Sequence, residues 1–199
     1  MSGGVKLKKK SAMMHNEPGR LTDDAIDEVF KWCFEINASD ITFQTGQPVW
    51  ADVYGRIQHV TKRYLSPAEV VDVLNRIYGP NGAAQIASGR DIDIAYEVKV
   101  SRNSRYRFRI NATGVLVDGT DGIQVTARPL PEDPPKLSSM NVEQEIVENY
   151  APRQGMVLVT GPTGSGKSTL LAGMIRGLAE NKDANHKIVT YEAPIEFVY

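Results

Sequence analysis

The sequence predicts an α+β domain followed by the first βαβ portion of an α/β domain, and three observations carry that expectation. Short runs of alternating apolar residues, broken by Gly and Pro, lie between and after two helix-patterned segments up to Arg128. Pro129, Pro131, Pro134 and Pro135 then fall within seven residues, which removes backbone donors and stiffens the chain into a spacer. Beyond them an apolar run, Met156 to Thr160, leads through a glycine-rich stretch into a second amphipathic segment.

The chain has 199 residues, 41% hydrophobic and 24% charged, a balance that buries a core and excludes a disordered chain. Its length accommodates one large domain or two small ones, and the proline cluster favours two. With a net charge of −1, no global field draws it to nucleic acid or to an anionic membrane. The single cysteine, Cys33, forms no internal disulfide, and no Cys/His cluster has metal-ligand spacing, which fits a reducing compartment. No apolar run approaches the roughly 20 residues of a membrane helix, and no apolar signal core follows the lysine-rich start. The expectation is a cytoplasmic protein without a signal peptide.

Residues 1–20, with Lys6, Lys8, Lys9 and Lys10, show no apolar periodicity and read as a tail without assigned function. Both a solvated terminus and a contact with anionic lipid are open readings of the lysines. Thr22 caps a helix whose Asp23 and Asp24 suit its positive end and whose Ile26, Val29, Phe30, Cys33 and Phe34 share one face. Strands follow near Ile41 to Thr45, Val49 to Tyr54 and Arg56 to Val60. Ser66-Pro67-Ala68-Glu69 combines a capping box with a first-turn proline, and Gly79-Pro80 ends that helix. Ile92 to Val98, Arg105 to Val117 and Ile123 to Arg128 read as further strands, with Asp118-Gly119 and Asp121-Gly122 as turn chemistry. After the prolines, Glu143 to Tyr150 reads as a short helix, Met156 to Thr160 as a buried parallel strand, Leu170 to Leu178 as a helical face, and Ile188 to Glu192 as the next strand.

Gly161-Pro162-Thr163-Gly164-Ser165-Gly166-Lys167-Ser168 satisfies the phosphate-loop pattern between an apolar run and a helix. Glycines let the chain curl so that backbone N–H groups meet phosphate oxygens at the positive end of the helix. Lys167 then neutralises the β and γ oxygens, Ser168 ligates magnesium, and Thr169 continues the site. The implied ligand is a nucleoside triphosphate, taken as ATP with Mg2+. Glu192 and Glu196 are the acids placed to face metal or water, or else two solvated loop acids. Arg105, Arg107 and Arg109 share one strand face and Arg128 ends the neighbouring strand. A solvated basic face, a γ-phosphate contact across a domain or subunit interface, and a nucleic-acid face are the three readings of these arginines. His15, His59 and His186 are isolated and unassigned.

The string GPTGSGKSTL, followed by YEAPIEFVY, resembles the secretion ATPase superfamily, in particular its PilT-like branch. Upstream, NASDITFQTGQPVWADVYGRIQ, RYRFRINA and ARPLP resemble that branch's N-terminal domain, so the likeness runs from about Leu21 to the end. The branch usually has Asp where this chain has Ala193, and the variant resembles the type IVB secretion members and their conjugative-plasmid relatives. The resemblance implies a PAS-like α+β domain over 21–128, a Pro-rich linker over 129–136, and part of an α/β RecA-like domain over 137–199. It implies that Glu196 activates the attacking water, that Glu192 supports it, and that Arg107, Arg109 and, more loosely, Arg128 reach the nucleotide.

The same resemblance implies a homo-hexamer that hydrolyses ATP and works with inner-membrane secretion or conjugation machinery, at the cytoplasmic face, without binding nucleic acid directly. The chain stops at Tyr199, before the family's Walker B acid and histidine box, so the expectation is a truncated product. Two further readings stay open: a nucleotide-binding or oligomer-interface fragment without turnover, and a pilus retraction motor.

Overall fold

The computed structural model describes residues 11–102, 104–131, 133–162, 164–182 and 186–199. The chain divides into two units, one ending at Leu130 and one from Pro131 to Tyr199. In the first, helix α1 (Asp23–Glu35) precedes strands β1 (Ala38–Gln44), β2 (Trp50–Val53) and β3 (Ile57–His59). Helices α2 (Pro67–Ile77) and α3 (Gly82–Ala87) follow, then β4 (Ile92–Lys99), β5 (Arg105–Val117) and β6 (Thr120–Leu130). The strands form one antiparallel sheet in the order β3-β2-β1-β6-β5-β4.

Alternation decides which face is covered. Ile41, Phe43, Phe108, Ile110, Val125 and Ala127 are fully buried on one side, where α1 packs on β1 and β4, and α2 on β6 and β1. Phe30 of α1 sits at the centre, its ring 4.8 Å from Phe108, 5.4 Å from Phe43 and 5.5 Å from Tyr96. The buried stripe of α1 is Ile26, Val29, Phe30 and Cys33, and burial pushes the Cys33 thiol far above its ordinary pKa, so it is an inert core residue.

The expected caps form. Ala25 N–H donates to Thr22 Oγ1 at 3.4 Å, and the Ser66 box closes in both directions, Glu69 N–H to Ser66 Oγ at 3.4 Å and Ser66 N–H to Glu69 Oε2 at 3.1 Å. The other Glu69 oxygen accepts from Leu21 N–H and from Arg63 Nη1 at 2.8 Å, so one carboxylate joins α2, the entry to α1 and the loop after β3.

Four expectations need correction. The tail reading does not hold across residues 11–20: Ala12 is buried, and its carbonyl accepts from Trp32 Nε1–H at 2.8 Å. Met14 N–H donates to Val60 O, and the Glu17 carboxylate accepts from the Lys62 and Arg63 amides at 2.8 and 2.9 Å. Isolated contacts to distant backbone leave no periodicity to read; residues 1–10, with the lysine cluster, lie outside the described residues. Asp118-Gly119 alone turns the β5–β6 hairpin, with φ of 48° and 80°. Asp121-Gly122 lies inside β6, where Gly122 admits the Thr45 side chain, whose Cβ would be 3.0 Å from an added methyl.

The short α3 was not expected; it spans six residues and has no side-chain cap. In the second unit, α4 (Gln144–Asn149) and α5 (Lys167–Glu180) form, but residues 156–160 and 188–192 make no strand ladder. Met156 and Leu158 are 80% and 75% exposed. A parallel strand is stable only between neighbouring strands and under cover on both faces, and the described residues of this unit place none beside either segment.

The Glu69 carboxyl links segments far apart in sequence, so its state should set the acid stability of the first unit. Burial alone would raise its pKa, but the Ser66 and Leu21 amides, the Ser66 hydroxyl and Arg63 outweigh this and hold it below the ordinary value. Its stabilisation is therefore complete above the ordinary carboxylate range and is lost as pH falls through the depressed native value. Glu69→Gln should cost about 1–3 kcal/mol at neutral pH by urea denaturation, and the variant should lose less stability than wild type between neutral and acid pH.

Candidate functional site

In the glycine-rich loop, Gly161, Gly164 and Gly166 have φ of 154°, 79° and 86°, conformations that side-chain-bearing residues rarely adopt. At Gly161 an added methyl would also come within 2.9 Å of Ser165 Oγ. Gly166 is the cap residue of α5 and no side chain closes that helix end, so its leading N–H groups and positive pole face the loop. Lys167 folds back, its Nζ donating to Pro162 O at 2.7 Å. Ser165 N–H also reaches Pro162 O, at 3.3 Å. Ser168 and Thr169 are exposed on the first turn of α5. Thr163 lies outside the described residues.

Ser168 borders a cavity of about 370 Å³ together with Glu192, Glu196 and Tyr199. Glu196 N–H donates to Glu192 Oε2 at 3.2 Å, which folds the segment so that both acids line one space. The second oxygen, Glu192 Oε1, is buried and has no hydrogen-bond partner. Such an oxygen needs a donor or a cation. The Tyr199 phenol is raised above its ordinary value by burial first and then by the charges of Glu192 and Glu196, so negative charge collects here. A hydroxyl and a carboxylate lining one cavity are the oxygen donors that suit a magnesium ion that keeps most of its waters. Among the described residues no cluster of three or more His, Cys, Asp or Glu is placed to hold a metal ion.

The arginines belong to the first unit and lie on the sheet face opposite the helices. Arg105 and Arg107 both pair with Glu97, at 3.1 and 3.2 Å. Arg109 pairs with Asp93 at 2.7 Å and Arg128 with Asp40 at 3.0 Å. Arg109 and Arg128 are direct partners across the β5–β6 ladder. This face is therefore a set of ion pairs. Arg107 is buried, its side chain 7% exposed, whereas that of Arg128 is 67% exposed.

Sequence reasoning missed a second cleft beside the loop, of about 380 Å³, bordered by Gly166, Lys167 and Thr169 and walled by Met140, Val142 and Ile146.

Residues 20–199 match the family model described as Type II/IV secretion system protein. Among solved structures, the ATPase DotB of Legionella pneumophila is 52% identical with a TM-score of 0.85, covering 96% of this chain and 51% of that one. The pilus retraction motor PilT with bound ADP is 28% identical with a TM-score of 0.71, covering 87% and 48%. The type IV pilus retraction ATPase PilT of Pseudomonas aeruginosa is 29% identical over 174 residues, 87% of this chain and 48% of that protein. The chain thus spans about half the length of these relatives. Its mixed α/β fold with the six-stranded antiparallel sheet matches theirs.

Exposed ion pairs contribute only about 0–1 kcal/mol, so Arg128→Ala and Arg109→Ala should leave the urea midpoint nearly unchanged. Arg107→Ala, which strips a buried side chain, should cost about 2–3 kcal/mol.

Proposed function

The chain belongs to the Type II/IV secretion system protein family, and from that premise we propose that it forms the nucleotide site of an ATP-hydrolysing motor subunit serving type IVB secretion or conjugative transfer. One observation carries this reading: the glycine loop, with Lys167 folded over it, opens through Ser168 onto the cavity that holds Glu192 and Glu196. The likeness to DotB at 52% identity supports the type IVB assignment. The likeness to PilT favours a second reading, a pilus retraction motor with the same chemistry.

In this proposal the loop amides and the α5 N-terminus hold the phosphates, and Lys167 leaves Pro162 O to neutralise the β and γ oxygens. Bound through Ser168 and the shell around Glu192 Oε1, Mg2+ would supply charge neutralisation of the phosphate oxygens. Glu196 orients the attacking water and takes its proton as the bond to the γ-phosphorus forms; the leaving β-oxygen departs with the bonding pair. Glu192 holds the Glu196 backbone and so fixes its position. Arg107, Arg109 and Arg128 are the residues that would exchange their carboxylate partners for nucleotide charge at a subunit boundary. The finer assignments, a PAS-like first unit, a RecA-like second unit, a homo-hexamer and a seat at the inner-membrane machinery, rest on the family resemblance.

Phosphate release and MgATP binding, measured on wild type and two variants, test the reading. Lys167→Ala should weaken binding by at least about tenfold, a loss near 1.4 kcal/mol. Glu196→Gln should keep binding and lower turnover by about 10²–10⁴-fold. MgATP binding indifferent to Lys167→Ala would contradict the proposal; Lys167-dependent binding without phosphate release would select the nucleotide-binding reading without turnover.

A further inference from the structure

The two edges of the sheet are built differently. At one edge β3 has three residues, and the chain after it is covered: Met14 N–H reaches Val60 O, and the Glu17 carboxylate takes the Lys62 and Arg63 amides. At the other edge β4 has eight residues and follows β5 in unbroken register from Ile92↔Ala112 to Lys99↔Arg105, without glycine or proline. Among the described residues no strand pairs with its outer side. Val100 N–H donates to Ser104 O at 3.0 Å in continuation of this register. Alternation along an antiparallel ladder then turns the amides and carbonyls of Asp93, Ala95, Glu97 and Lys99 outward. Such a row is a template for another strand.

The side chains of β4 match a second β4. On the helix face Ile94 and Tyr96 are half-buried and Val100 is 39% exposed, apolar surface that a neighbouring strand would cover. The opposite face carries Asp93, Ala95, Glu97 and Lys99, all exposed. In an antiparallel pair with its two-fold axis at Tyr96, Ile94 meets the partner's Val98 and Ile92 meets the partner's Val100. Lys99 then meets the partner's Asp93, and Ala95 meets the partner's Glu97. Glu97 is compensated within its own chain by Arg105 and Arg107, at 3.1 and 3.2 Å. An axis at Ala95 would set Asp93 against the partner's Glu97, two acids, and an axis at Val98 would overlap only the ends of the strands. A slip of one residue would lay the apolar row on the charged face. A lone edge lysine normally deters pairing, but in the Tyr96 register it faces a carboxylate. We propose that β4 is an interface for a second copy of this chain, joining two six-stranded sheets into one. The contact is isologous and closes at two copies, unlike the head-to-tail contacts of a ring, and it does not depend on the nucleotide reading.

Sedimentation of the whole chain over a concentration series, beside Ala95→Pro and Lys99→Glu, tests this interface. The Ala95 N–H points away from β5, so proline there removes only the outward donor. Wild type should form a concentration-dependent dimer, Lys99→Glu should raise its dissociation constant about tenfold or more, and Ala95→Pro should leave monomer. Circular dichroism and urea midpoints check that both variants fold. Oxidation of single-cysteine variants at residues 94–98 locates the axis. Tyr96→Cys should cross-link fastest, because directly opposed residues lie within disulfide reach, and the native Cys33 is buried. A chain that stays monomeric, an oligomer indifferent to both Ala95→Pro and Lys99→Glu, or fastest cross-linking away from residue 96 would overturn the proposal. So would slow exchange of the Ala95 and Glu97 amides at every concentration, which would mean that a segment of the same chain covers the edge.

Discussion

A sheet with one apolar face must be covered on that face, and in this chain the cover closes around Phe30, which touches rings from β1, β4 and β5. Because side chains alternate along a strand, burying Phe108 and Ile110 commits Arg107 and Arg109 to the opposite face, and burying Ala127 commits Arg128 to it. A slip of one residue would invert both faces, so the aromatic core also keeps the arginines where they are. The capping box of α2 serves the same end: Glu69 joins the helix to the chain entering α1 and to the loop after β3.

The second unit is organised by backbone approach rather than by a large core. Positive-φ glycines shape the glycine-rich loop, and Gly173 and Gly177 let the preceding segment lie directly on α5. The same helix therefore presents its N-terminus to the loop and its glycine face to the cleft wall. On the Ser168 side the Glu192 and Glu196 carboxylates line one cavity, among apolar side chains such as Leu171, Ile175 and Phe197.

What the sequence made legible was whatever nearby residues determine. The Ser66–Glu69 box, the Asp118-Gly119 turn and the stripe of α1 are all set within a few positions, and each appears where the pattern placed it. Illegible features depend on distant partners. Ala12, Met14 and Glu17 are held by Trp32, Val60, Lys62 and Arg63, and Gly122 sits in the strand because Thr45 needs the space. Arginine alternation was readable, whereas its neutralisation by Asp40, Asp93 and Glu97 depends on the strand order. The apolar runs at 156–160 and 188–192 carry a strand signal that sheet neighbours alone can realise.

The central claim is that one loop and one acidic segment together hold a metal-bound triphosphate. The most direct measurement is a crystal structure of the chain with magnesium and a non-hydrolysable ATP analogue. The account predicts phosphates in the Gly161–Ser168 loop, Lys167 released from Pro162 O, and a hydrated metal between Ser168 and Glu192 Oε1. A nucleotide bound elsewhere, with Lys167 still on Pro162 O and Glu192 Oε1 unsatisfied, would contradict it.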